Sequence, residues 1–207
     1  MSDTAQLTTA TSATGDSLPL DNERVDNSAR NRLVIAILTV STFVVILNET
    51  IIGVAIPQFI IQLKIDASTA QWLSAAFMLT MAVVIPITGF LLQRFNTRPI
   101  FIAAMSFFSA GTLLATLAPG FEVLLVARVV QACGTAIMFP LLITTIMELV
   151  PPTTRGRTMG NISIVISVAP AIGPSISGLI LNSLHDWRWM FILVFPIAVA
   201  VPRLLMP

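Results

Sequence analysis

Residues 170–178 read Pro170-Ala171-Ile172-Gly173-Pro174-Ser175-Ile176-Ser177-Gly178, inside an otherwise apolar run. Two prolines and two glycines in nine residues would break a helix in a soluble protein. Inside a membrane, neighbouring helices, hydroxyls and waters re-satisfy the freed backbone groups, and a bent helix survives. Whether the stretch breaks a helix or bends one thus depends on whether the chain around it belongs in a bilayer.

The bulk composition says that it does. Of 207 residues, 56% are hydrophobic and 10% are charged, with a mean hydropathy of +0.91. A soluble domain carries about a quarter charged residues, so this chain lacks the polar surface for one. The net charge of +1 gives no reason to expect nucleic acid as a partner. The single cysteine, Cys133, excludes an internal disulfide, and with one histidine, His185, there is no metal-ligand cluster. No cofactor or metal is called for.

Residues 1–32 are a different material, rich in Ser, Thr, Asp and Asn, and are expected to form a disordered cytoplasmic tail. They lack the charged start, short apolar core and cleavage site of a signal peptide. Beyond them lie six runs suited to cross a bilayer, which takes roughly 20 apolar residues each: about 33–58, 70–92, 100–118, 123–149, 159–184 and 189–206. The expected fold is an all-α integral membrane domain of six spans. Arg24, Arg30, Arg32, Arg94, Arg98, Arg155, Arg157 and Arg203 fall on one side, while Lys64 and Arg188 fall on the other. Arginine-rich loops stay inside, so both ends are expected on the cytoplasmic side of a cell's inner membrane.

Several residues sit where lipid would not tolerate them. Arg128 lies within the fourth span, and an arginine at a helix centre costs roughly 2.5–3.5 kcal/mol to insert. Arg128, Gln131 and Thr135 follow i, i+3, i+7 and share one face. An arginine near a helix end can also snorkel to the headgroups, and both readings stand. Glu49 lies inside the first span beside Asn48, in register with Gly53 and Pro57. Desolvation and a nearby arginine pull a carboxyl's proton affinity in opposite directions, which suits a group that loads and releases a proton. A neutral, hydrogen-bonded glutamic acid that only packs is the alternative.

In the fifth span, Gly160, Ser163, Ser167, Pro170, Pro174 and Ser177 recur at steps of three and four, joined by Gly173 and Gly178. Such a face lets helices approach closely, whether for structure alone or for movement. The loop Gln93-Arg94-Phe95-Asn96-Thr97-Arg98-Pro99 reads as a short basic turn, with Asn96 suited to left-handed backbone and Pro99 to a helix start.

Together these residues resemble the major facilitator superfamily, in particular its fourteen-span drug:proton antiporter branch and the lincomycin-resistance type of multidrug exporter. Gly89, Leu91, Arg94 and Arg98 match that family's G-x-L-x-D-R-x-G-x-[RK] turn, with Gln93 in place of the acid and Asn96 in place of a glycine. Arg128, Gln131 and Gly134 match R-x-x-Q-G-x-G, with Ala132 replacing a glycine. Gly173, Pro174, Ser177 and Gly178 match the antiporter motif G-P-x-x-[GS]-G. The segment from Leu47 to Pro57 is similar to L-D-x-T-I-V-N-V-A-L-P, with Asn48 at the aspartate position and Glu49 one residue on. Trp187-Arg188-Trp189-Met190-Phe191 with Pro196 is similar to the opening of the sixth span.

The resemblance implies proton-coupled efflux of drug-like or amphipathic compounds. Glu49, Arg128 and Gln131 would serve proton coupling. Pro170, Gly173, Pro174, Ser177 and Gly178 would form the antiporter-motif helix, and Gly89, Gln93, Arg94 and Arg98 a cytoplasmic gating loop. The implied partners are the lipid bilayer, a small-molecule drug and protons. Because the family fold has two six-helix halves, the chain is expected to be the amino-terminal half alone, facing a second half or another copy of itself. A truncated product without transport, a homodimer and an intramembrane enzyme are the other readings. The last lacks a His-Glu-x-x-His motif and any Ser/His pair within the spans.

Overall fold

The computed structural model describes residues 20–184 and 188–203, and these form helices joined by short turns, with no strand among them. In order they are α1 (Leu20–Leu63), α2 (Ala67–Arg94), α3 (Thr97–Thr116), α4 (Phe121–Leu149), α5 (Pro152–Leu184) and α6 (Arg188–Arg203). The expected all-α, six-helix membrane domain is the fold observed. Five of the helices are long and apolar enough to cross a membrane, and α6 is a shorter apolar helix over its described length.

Two helices start earlier than the hydropathy boundaries suggest. Helix α1 begins at Leu20 rather than Leu33, because residues 20–32 contain no glycine or proline to stop a helix from extending outward from the span. Helix α5 begins at Pro152 rather than Met159, since proline suits the first position of a helix, where its missing N–H costs nothing. Of the disordered tail expected over residues 1–32, residues 20–32 are helical; residues 1–19 and the readings of His185 and Trp187 lie outside the described residues.

The turns explain why the helices lie side by side. Between α1 and α2, Lys64 takes a left-handed conformation (φ 51°). Asp66 then caps α2 in extended backbone, and its carboxylate accepts hydrogen bonds from the Thr69 hydroxyl at 2.5 Å and from the Ser68 hydroxyl. Those hydroxyls hold the Asp66 carboxyl below its usual value. Between α2 and α3 only Phe95 and Asn96 intervene, and Asn96 is extended (φ −63°), so the left-handed backbone expected there is absent and Pro99 falls in the first turn of α3. At the end of α4 the Arg155 guanidinium donates to the carbonyls of Val150 (2.8 Å) and Met147 (2.6 Å), closing a helix end that has no basic residue of its own. Arg188 donates to the Ala118 carbonyl at 3.0 Å and so ties the start of α6 to the end of α3.

Helix α4 is central, packing against α3, α2, α1 and α5, while α1 packs chiefly on α5 and α3 also supports α6. Apolar side chains meet in two clusters. One joins Leu38, Phe101, Phe108, Met138 and Leu142; the other joins Ile51, Phe59, Leu73, Leu124 and Phe191. Glycines set the closest approaches between α3 and α4. A methyl at Gly134 would collide with the Ala104 carbonyl and lie 2.7 Å from the Phe108 nitrogen, and one at Gly111 would lie 2.6 Å from the Gln131 nitrogen. The span portions of α1 and α4 are mostly buried, whereas those of α2 and α5 are mostly exposed.

Candidate functional site

The stripe expected on α4 is buried and connected. Arg128 is 2% exposed and Gln131 is fully buried, so the guanidinium turns into the bundle and does not reach for the headgroups. Arg128 Nη1 donates to Gln131 Oε1 at 3.0 Å, and Gln131 Nε2 donates to the Thr112 hydroxyl of α3 at 2.8 Å. Thr112 in turn donates to the Phe108 carbonyl at 2.7 Å, and Thr135 donates to the Gln131 carbonyl at 3.0 Å. The chain of donors thus starts at the guanidinium, ends on backbone and joins α4 to α3.

The guanidinium is only partly satisfied. Its Nε is buried with no hydrogen-bond partner, and its Cζ stands 3.9 Å from the centroid of the Phe77 ring of α2. Glu49 of α1 exerts a coulombic pull on it. Glu49 is partly exposed, whereas Asn48 beside it is buried. Gly53 and Pro57, in register with Glu49, are exposed, so this face of α1 is open. A buried cation, one partly exposed carboxyl and a neutral hydrogen-bonded chain can shift a charge over a short distance.

The small-residue face of α5 divides. Gly173 and Ser177 are buried against α1, with the Ser177 hydroxyl donating to the Ile51 carbonyl at 3.3 Å. Gly160, Ser163, Ser167, Pro170, Pro174 and Gly178 are exposed. The spacing identified small residues correctly but merged two adjoining faces, one packed and one open. Helix α2 carries a second open stripe at steps of three and four, Gln71, Ala75, Met78, Ala82, Pro86, Gly89 and Gln93, all exposed. The same counting finds it in the sequence. On both helices large apolar side chains, Leu79, Val83 and Phe90 on α2 and Ile164, Val168 and Leu179 on α5, project from the neighbouring side.

In the basic turn, Gln93, Arg94 and Arg98 are all exposed. Gln93, Arg94, Asn96 and Thr97 line one cavity of about 250 Å³ together with Glu148 of α4. Glu148 also lines a neighbouring cavity with Arg30 and Arg98. The end of α4 thus places a carboxylate, Glu148, beside the turn, a residue that no local spacing indicates. An apolar cavity of about 370 Å³ lies between α4 and α5, where Phe139, Ile143, Met159 and Ile166 meet the hydroxyls of Ser163 and Ser167.

These features define a multi-pass membrane domain with a buried charge at its centre. The sequence model of the Major Facilitator Superfamily matches residues 38–206, and the chain belongs to that family. It is 43% identical over 179 residues to the MFS-type transporter YcnB of Bacillus subtilis, an alignment that covers 86% of this chain and 38% of the relative. It is also 43% identical over 163 residues to the lincomycin resistance protein LmrB of Listeria monocytogenes, covering 79% of this chain and 34% of that protein. A bacterial homologue of the human lysosomal transporter Spinster shares the fold, with a TM-score of 0.71 at 23% identity over 84% of this chain and 42% of its own. The chain spans 38% of the length of YcnB. Major facilitator proteins are transporters and not enzymes, in agreement with the sequence reading.

Proposed function

We propose that this chain is the amino-terminal six-helix half of a proton-coupled exporter of drug-like, amphipathic compounds, with both of its ends on the cytoplasmic side. The observation that carries this reading is the buried Arg128, hydrogen-bonded to Gln131 and under the pull of Glu49. A charge is costly at such a depth, and in membrane proteins ionisable residues there mark ion and proton pathways. Glu49 is partly exposed on an open helix face whereas Arg128 is buried, so in this reading the carboxyl is the proton carrier and the guanidinium its fixed partner. Each proton moved down the membrane potential supplies roughly 2.3 kcal/mol per 100 mV.

The similarity to LmrB supports a drug-like substrate, and the apolar cavity beside Ser163 and Ser167 suits an amphipathic one. The open small residues Ala75, Ala82 and Gly89 on α2, with the open small-residue stripe on α5, support close contact with a second six-helix unit, because small residues let helices approach where lipid gives no hydrophobic drive. Pro170, Pro174 and Gly178 would belong to that contact, and Gly173 and Ser177 would hold the helix that carries it. Gly89, Gln93, Arg94 and Arg98, with Glu148, would close the cytoplasmic end.

Drug-dependent proton flux in everted membrane vesicles tests the reading. The native protein is expected to release protons from the vesicle lumen on addition of a cationic amphipathic drug. Glu49→Gln is expected to abolish that flux at unchanged protein level. Undiminished flux in the variant removes Glu49 from the mechanism.

A further inference from the structure

We propose that Phe77 is a positioning residue for the charge exchange between Arg128 and Glu49: its ring holds the guanidinium whenever the carboxyl carries a proton. The proposal rests on the reading of that pair as the proton-coupling site. Phe77 is a core residue of α2, 2% exposed. What sets it apart from the other buried rings is its neighbour: its face lies 3.9 Å from the Arg128 Cζ.

A guanidinium has five N–H donors in a fixed fork, and a buried one with an unmade bond is unstable where it stands. Arg128 gives one bond to Gln131 and leaves Nε without a partner. The negative face of an aromatic ring attracts such a cation without itself taking or giving a proton. It therefore competes with Glu49 for the arginine at a strength that does not change with pH. With Glu49 protonated, the ring keeps the charge in place; with Glu49 ionised, the carboxylate can draw it away.

Few other ionisable groups bear on this balance. On the elements packed against α4 and α1 the described ones are Glu49, Arg30 and Arg32 on α1 with Lys64 just past its end, Arg94 on α2, Arg98 on α3, Arg155 and Arg157 on α5 and Arg188 on α6, and α4 itself has Glu122, Cys133 and Glu148. Asp66 lies at the start of α2. Among these, Glu49 is the one whose charge acts on Arg128. The contest is thus between one ring and one carboxylate.

The test compares Phe77→Leu, which removes the ring, with Phe77→Tyr, which keeps its face. In everted vesicles, loss of the ring hands the guanidinium to Glu49, and a proton displaces it only at lower pH. Phe77→Leu is expected to move the pH midpoint of drug-driven proton exchange about one unit toward acid, the size that an interaction of this strength allows. Phe77→Tyr is expected to keep the native midpoint. Thermal unfolding of the purified protein in detergent gives a readout independent of transport. The loss caused by Phe77→Leu is expected to shrink by more than half when Arg128 is already Met. Equal midpoints for the native, Leu and Tyr proteins overturn the proposal, as do additive losses in the unfolding cycle. Where Arg128→Met does not fold, the contrast between Leu and Tyr decides alone. A native protein with no proton exchange at any pH overturns the parent reading and the role given to Phe77 with it, even where unfolding still couples the two residues.

Discussion

Gly173 of α5 lies directly against the side chain of Thr50 of α1: a methyl group at position 173 would stand 2.7 Å from Thr50 Cγ2 and 2.8 Å from its Cβ. Thr50 is fixed in turn by its hydroxyl, which donates to the Ile46 carbonyl at 2.9 Å. The branched side chain has no free rotation with which to step aside. The contact between α1 and α5 is therefore set by the absence of one carbon.

Gly173→Ala is expected to destabilise the domain by about 1–3 kcal/mol, the usual result of overpacking a close contact. The double variant Gly173→Ala, Thr50→Ser, which deletes the Thr50 methyl but keeps the Cβ at 2.8 Å, is expected to recover part of that loss. Thermal unfolding in detergent measures both. Failure of the serine to restore stability would show that the gap is filled by something else.

The contact between α3 and α4 is less forgiving. At Gly134 an added methyl meets backbone, the Ala104 carbonyl and the Phe108 nitrogen, and no side chain can move to relieve it. Gly134→Ala is expected to cost more than Gly173→Ala and to lower the yield of folded protein. Gly89 and Gly178, each with open space around it, are expected to accept alanine with no loss of thermal stability. If their stripes meet a second helical unit, the same two variants slow transport while leaving the unfolding temperature unchanged. Parallel measurement of both quantities separates the two roles.

Gln131→Leu is expected to destabilise more than an exposed substitution would. It strips the Arg128 Nη1 of its acceptor and the Thr112 hydroxyl of its donor in one step. Leaving a buried group unpaired costs about 1–3 kcal/mol, more when the group is charged. Gln131→Glu, which keeps an acceptor and adds a countercharge, is expected to fold better than the leucine variant. Comparing their unfolding temperatures checks the order.

At the α1–α2 turn, the Ser68 and Thr69 hydroxyls hold the Asp66 carboxyl below its usual 3.8. A depressed carboxyl contributes stability above that pH, and the contribution fades as the pH falls through the folded value. Replacing Ser68 and Thr69 with alanine is expected to raise the Asp66 titration midpoint toward 3.8. An NMR titration of the carboxyl reads it directly, and an unchanged midpoint would reject the assignment.

Much of this architecture was legible in the sequence because helices repeat every 3.6 residues. That periodicity put Arg128, Gln131 and Thr135 on one face, and they are found together. It also placed Glu49, Gly53 and Pro57 on one face, and that face is open. What periodicity lacks is the identity of the neighbour. Phe77 and Thr112 join the site from α2 and α3 with no spacing that relates them to Arg128. For the same reason spacing alone merges the small residues of α5 into one face, although Gly173 packs on α1 and Pro174 is exposed. The stripe on α2 was detectable by the counting applied to α5, but glutamines, alanines and one methionine are less conspicuous than prolines and serines. Helix ends were the least legible, since hydropathy marks where lipid stops and not where a helix does.

Pro170 and Pro174 sit one turn apart on the open side of α5. Neither has an N–H, so the carbonyls of Ile166 and Pro170 have no i+4 donor within the helix. Acyl chains offer no hydrogen bond, and bare carbonyls are not tolerated against them. That side of α5 must therefore be wetted or covered by protein. The two prolines act as a boundary marker, telling the bilayer where it is to stop.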